Sequence, residues 1–105
     1  MRTLCFIVDG QRLKCDPACD FSGIVSNSRG YLRARFRFSK DWAGCKKVAI
    51  FTGEQGEEMV PLSGDCCDIP DCVLTGSTVL VSVVGQRGAV RIPTNTTEFT
   101  QKAGR

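Results

Sequence analysis

The chain has 105 residues, of which 42% are hydrophobic and 24% charged, and its formal net charge is +3. This length fits one domain, 1–105, and the composition is that of a folded globular protein rather than a disordered one. The sequence contains no histidine, which excludes Ser-His-Asp triads, Cys-His pairs and His-ligated zinc within it, and the small net charge disfavours a nucleic-acid partner.

Apolar residues recur with a period of two along most of the chain, which is typical of strands that bury one face. The predicted strands, in chain order, cover 3–8, 12–14, 21–25, 31–38, 47–52, 57–62, 78–84 and 89–92. Three short segments with glycine predict β-hairpin turns, at Asp9-Gly10, at 53–56 and at 85–88.

Helices have little room in this pattern. Two single turns are predicted, one at 39–44 with Ser39 as its cap and one at 69–74 with Pro70 at its first position. The polar segment 94–105 is expected to be a peripheral tail. Short strands with Gly-rich turns predict an all-β fold, a two-sheet antiparallel β-sandwich with at most one or two single-turn helices. No apolar run approaches the roughly 18 residues of a membrane span, so no membrane insertion is predicted.

Seven cysteines are a high and odd number for a chain of this length. Cys15 with Cys19, and Cys67 with Cys72, lie near zinc-ligand spacings, but neither pair has the two-residue separation of strong zinc sites. The N-terminus does not have the pattern of an export signal, which disfavours a secreted disulfide framework. Reduced thiols without a metal or cofactor are the favoured interpretation, while zinc, structural disulfides and a Cys-based redox protein stay open as alternatives.

The most specific predicted surface feature is a stripe of arginines, Arg33, Arg35 and Arg37, on one face of the strand 31–38. Such side chains recur about every 7 Å and could bind phosphates, acidic sugars or an acidic protein partner. The favoured alternative is a solvated face with acidic cross-strand partners, for which Glu57 and Glu58 are the candidates.

Trp42 is the only tryptophan of the chain. Together with Tyr31 and the arginine stripe, an exposed Trp42 would form a shallow glycan-binding site. The favoured interpretation is that Trp42 instead caps the core beside Phe36 and Phe38. Nothing marks a pair of carboxylates as a catalytic acid and base, and no phosphate-binding loop is present, so the sequence predicts a protein that is not an enzyme.

Several phrases follow one another in a fixed order along the chain. They are Phe-Arg-Phe-Ser-Lys-Asp-Trp-Ala-Gly at 36–44, Lys-Val-Ala-Ile-Phe at 47–51, Cys-Asp-Ile-Pro-Asp-Cys-Val-Leu at 67–74, Val-Ser-Val-Val-Gly at 81–85 and Arg-Ile-Pro-Thr-Asn at 91–95. In this order, the chain resembles small β-rich tail and baseplate proteins of phages and prophages from Gram-positive bacteria. It is most similar to the N-terminal domain of baseplate upper proteins.

The resemblance implies a structural part of a phage tail, located in the virion and assembled in the cytoplasm of the bacterial host. The implied partners are other tail and baseplate proteins, and self-association is a further expectation. The family supplies no catalytic residues. A non-enzymatic assembly module of a tail baseplate is therefore the leading hypothesis, with a carbohydrate-binding module for cell-surface glycan and a small Cys-based metal or redox protein as alternatives.

Overall fold

The computed structural model describes residues 1–104 of the chain, and within them the backbone is mostly extended. The strands are β1 (Arg2–Asp9), β2 (Arg12–Cys15), β3 (Leu32–Phe38), β4 (Lys46–Gly53), β5 (Gly56–Pro61), β6 (Cys66–Asp68), β7 (Thr78–Arg87), β8 (Val90–Pro93) and β9 (Thr97–Thr100). Two 3₁₀ helices of one turn each, Lys40–Trp42 and Asp71–Val73, lie at the two predicted places.

The strands form two sheets. The first has the order β2-β1-β3-β6, and the second has the order β5-β4-β7-β8, with β9 also paired to β7. A single hydrophobic cluster contains the inward side chains of both sheets, among them Phe6, Phe36, Phe51 and Val81. Inward apolar residues from two sheets that share one core define a sandwich. The predicted all-β sandwich is therefore confirmed.

One strand pair departs from the antiparallel expectation. β1 and β3 run parallel, with Arg2 opposite Leu32 at one end and Val8 opposite Phe38 at the other. β2 returns the chain antiparallel to β1, and the chain must then pass to the other side of β1, because β1 lies between β2 and β3 in the sheet. Residues 16–31 form this crossover between β2 and β3.

The strand predicted at 21–25 is wrong, because this segment belongs to the crossover. The Ser22 N–H donates to Asp20 Oδ1 at 2.8 Å, which forms a local turn. Gly23 has a φ of +69°, outside the range of strands. Val25 takes part only in an isolated β-bridge.

The hairpin turns at Asp9-Gly10 and at 53–56 are confirmed, but the turn predicted at 85–88 begins later. β7 continues through Gly85 to Arg87, and Gly88 lies in the turn. A Cβ atom on Gly85 would lie only 2.6 Å from Cζ3 of Trp42. Gly85 is therefore a glycine of the strand interior that makes room for the indole ring, and not a turn glycine.

The predicted tail 94–105 is not peripheral over its middle part. β9 pairs with β7, and the Phe99 side chain enters the core with an exposed fraction of 4%. Gln101 is also buried, and its Nε2 donates to the Gly76 carbonyl at 3.0 Å. The residues around Phe99 are polar, so the segment is polar on average. The sequence prediction therefore missed that one side of β9 faces the core.

A side-chain clamp connects the two sheets near β8. Asn95 Oδ1 accepts a hydrogen bond from the Leu13 N–H at 2.7 Å, and Asn95 Nδ2 donates to the Leu13 carbonyl at 3.0 Å. The preceding Thr94 accepts from the Val83 N–H at 2.9 Å. Residues 94–95 therefore bind β2 of one sheet and β7 of the other.

Candidate interaction site

The arginine stripe lies on the outer face of the four-stranded sheet. Arg33, Arg35 and Arg37 are exposed and alternate with buried or partly buried residues of β3, as predicted. Lys14 on β2 is on the same face, because Ile7 of β1 is opposite both Lys14 and Arg37. This part of the sheet therefore presents cationic side chains to solvent.

The prediction that Glu57 and Glu58 are cross-strand partners of the arginine stripe is wrong. Glu57 and Glu58 lie on β5, which belongs to the other sheet. Asp68 is opposite Arg33 on β6, yet the one ion pair within 4.0 Å among residues 1–104 is that between Lys47 and Asp65. The stripe is consequently not neutralised by close ion pairs in the described part of the chain.

We expect the triple variant R33Q/R35Q/R37Q to keep the stability of the native protein within about 0.5 kcal/mol, because these side chains are exposed and make no close ion pair. Urea unfolding measures this difference. A loss well above about 1 kcal/mol would show that the stripe stabilises the sheet, which contradicts this assignment.

The other two predicted contact residues do not join the stripe in one site. Trp42 is fully buried, its ring lies 5.0 Å from that of Phe38, and its Nε1 donates to the Gly10 carbonyl at 2.7 Å. The interpretation of Trp42 as a core residue is confirmed, and Trp42 is removed from the candidate contacts. Tyr31 is half exposed just before β3. The aromatic platform predicted for a glycan therefore lacks its tryptophan.

Sequence reasoning missed an exposed apolar surface on the outer side of the five-stranded sheet. This apolar face consists of Val48 and Ile50 on β4, Met59 on β5, and Leu80 and Val84 on β7. Met59 is 64% exposed and Leu80 is 38% exposed. Val48, Ile50 and Val84 are partly exposed, and large contiguous apolar surface on a protein marks a site of interaction.

The signal for the apolar face is present in the sequence. The segments 48–51 and 79–81 are apolar at every position, whereas a strand with one wet face alternates. Continuous apolar runs indicate strands with two apolar faces. In β7 the buried Val79, Val81 and Val83 alternate with outward residues, of which Leu80 and Val84 are apolar and Ser82 is polar.

The apolar face contains a groove of about 590 Å³. Val48, Ile50, Met59 and Val84 form its floor. Polar and cationic side chains lie at one end, namely Lys46, Gln86, Arg87 and Arg91. No carboxylate lines the groove among the described residues. The arrangement offers apolar contact and positive charge to a ligand or partner.

The cysteines are free thiols in the structure. Cys5 and Cys19 are neighbours, since the Cys5 N–H donates to Cys19 Sγ at 3.3 Å. Burial raises the pKa of the Cys5 thiol, and the nearby Cys19 raises it further. Within residues 1–104, no group of three or more His, Cys, Asp or Glu residues is placed to hold a metal ion.

Cys67 makes the stability of the fold depend on pH in alkaline solution. Burial, with a smaller effect of Asp68, raises the pKa of the Cys67 thiol from 9.0 to about 12. Above pH 9 the unfolded chain loses this proton while the folded chain retains it, so the free energy of unfolding falls as the pH rises towards about 12. We expect a smaller fall in Cys67→Ala, measured by urea unfolding at about pH 8 and about pH 10.5. Equal falls in both proteins would contradict the role of Cys67.

No helix among residues 1–104 has the length and apolar character that crossing a membrane requires. Comparison of the chain with known protein families, with curated proteins and with solved structures finds no match.

Proposed function

We propose that this chain is a non-enzymatic assembly module that acts through protein–protein contacts as part of a phage or prophage tail baseplate. The observation that carries the proposal is the apolar face, which leaves Met59 and Leu80 exposed on a sheet whose other side packs into the core. Burial of such a face in a protein interface gains about 25 cal/mol for each Å² of apolar surface removed from water.

The ordered phrases at 36–44, 67–74, 81–85 and 91–95 support the assignment to a tail baseplate. In this fold their residues act in packing: Trp42 lies against Gly85, and Asn95 clamps β2. The apolar face uses both parts of the sequence: Val48, Ile50 and Val84 lie inside the phrases at 47–51 and 81–85, whereas Met59 and Leu80 lie between phrases. The partners of this proposal are tail and baseplate proteins, with assembly in the cytoplasm of the bacterial host and the virion as the final location.

Co-expression with candidate baseplate proteins, followed by affinity purification and native mass spectrometry in reducing buffer, tests the proposal. We expect a defined complex with the native chain and its loss in Met59→Glu, because a buried carboxylate without a partner is costly in an interface. Arg35→Gln, on the other sheet, is the matched surface control and should retain the complex. Failure to bind any baseplate protein, or equal binding by Met59→Glu, would overturn the proposal.

A further inference from the structure

The outward residues of the five-stranded sheet are arranged in rows that cross the strands. The strand register places Lys46, Gln86 and Arg91 in one row. At the other end, the register places Glu57, Thr52, Leu80 and Glu98 in one row. Between the two end rows lie four residues of the apolar face together with Ser82, flanked by Pro61 and Pro93; the four are Val48, Ile50, Met59 and Val84. The face therefore has a cationic end, an apolar middle and an acidic end.

The charges of the two end rows are available to a partner. Lys46 and Arg91 are exposed at the cationic end, and Glu57 and Glu98 are exposed at the acidic end. None of these four side chains has an ion pair within 4.0 Å or a side-chain hydrogen bond in the described part of the chain. The two ends lie three steps of two residues apart along β4, which is about 20 Å at the rise of a strand.

We infer that the apolar face binds a second copy of this chain, in a two-fold symmetric dimer. The two-fold axis lies between the facing five-stranded sheets of the two copies and is perpendicular to their strands. Rotation about this axis reverses the order of the rows. The cationic row of one copy then faces the acidic row of its partner, and the apolar rows face each other. A symmetric interface of this kind requires a self-complementary surface, and this face has one.

The lateral positions of the charged residues also agree with this symmetry. β8 and β9 lie along the same edge of β7, so Arg91 and Glu98 are at the same edge of the sheet but at opposite ends. The two-fold axis therefore places Arg91 of one copy over Glu98 of the partner subunit. Lys46 on β4 is placed beside Glu57 of the partner subunit, because β5 is adjacent to β4. Both charged pairs occur twice in the dimer.

This inference deepens the proposed function and rests on the same face, for which it names a second copy as the first partner. If all the charges of the face had the same sign, the face would instead favour a different protein with an oppositely charged surface. Here the opposite charges are on the chain itself. If the strands of the two facing copies ran in the same direction, the cationic row would face the cationic row and the acidic row would face the acidic row. The charges therefore also select the antiparallel orientation of the two copies.

Charge-swap variants test the inference. K46E/R91E has acidic groups at both ends of the face, and E57K/E98K has cationic groups at both ends. For each variant alone, the dissociation constant of the dimer should be at least about tenfold higher than that of the native chain, because like charges would face each other across the interface. An equimolar mixture of the two should form a heterodimer, because every end row then meets an opposite charge. The control R33E/R35E carries the same change in charge on the other sheet and should dimerise as the native chain does.

Sedimentation velocity over a range of concentrations and native mass spectrometry, both in reducing buffer, measure these dimers. Heterodimer recovery in the mixture shows that both variants fold. A native chain that stays monomeric, or charge-swap variants that dimerise as well as the native chain, would overturn the inference. If the native chain is monomeric but binds a baseplate protein in a Met59-dependent manner, the proposed function stands and the dimer does not. If the chain forms the charge-dependent dimer but binds no baseplate protein, the dimer stands and the proposed function does not.

Discussion

Replacing Trp42 with alanine should lower the free energy of unfolding by about 3 to 5 kcal/mol. The side chain is fully buried between Phe38 and Gly85, so its removal leaves a large cavity. Gly85 has no Cβ that could fill this space. The Gly10 carbonyl also loses the hydrogen bond that it accepts from Nε1 at 2.7 Å. Urea unfolding with a fixed m-value measures the loss.

One further variant separates the contributions of the ring and the hydrogen bond, and another serves as a control. Trp42→Phe keeps an aromatic ring but has no N–H for the Gly10 carbonyl, so it should lose less stability than the alanine variant. Tyr31→Ala should leave stability nearly unchanged, since Tyr31 is half exposed. A Trp42→Ala protein as stable as the native one would show that the indole is not part of the core, and would restore the glycan-site alternative.

The second large effect is expected at Asn95. Asn95→Ala should lower the free energy of unfolding by about 2 to 3 kcal/mol, because both backbone groups of Leu13 lose their partners. β2 is an edge strand with only β1 beside it, so no neighbouring strand can replace these bonds. The variant should also lose stability locally, around β2, since the clamp joins the two sheets at one end.

Amide hydrogen exchange can distinguish this local effect from a general one. In Asn95→Ala the Leu13 amide should exchange faster, while amides in the centre of β7 should change only with global stability. Thr96→Ala is the matched control, because the Thr96 side chain makes no hydrogen bond among the described residues. Unchanged exchange at Leu13 would contradict the clamp.

The period-two pattern was sufficient to predict the fold class, because local alternation in segments such as 31–38 determines which residues enter the core. The parallel pairing of β1 with β3 was not predictable in the same way, because neighbouring turns define hairpins and not the strand that follows a long crossover. Gly85 shows the same limit at one residue. Its role depends on Trp42, which is distant in sequence and adjacent only in the folded chain.

The candidate site was predictable only in part. The exposure of Arg33, Arg35 and Arg37 follows from alternation within one strand, and it is observed. Their supposed partners Glu57 and Glu58 were assigned by charge alone, and the topology places them on the other sheet. The apolar face is formed by strands from separate parts of the sequence. Its opposite charged ends become apparent only when the register aligns β4, β5, β7, β8 and β9.

The parallel pairing of β1 and β3 has a consequence for the order in which the protein folds. The hairpins β1–β2 and β4–β5 need only two-residue loops and can form early, since closing a short loop costs little entropy. The other edge of β1 must wait until the crossover 16–31 has brought β3 alongside it. Until β3 docks, the β1–β2 hairpin therefore has one edge of β1 without a partner. An unpaired strand edge can pair with another chain, so the docking of β3 also protects the protein against edge-to-edge association.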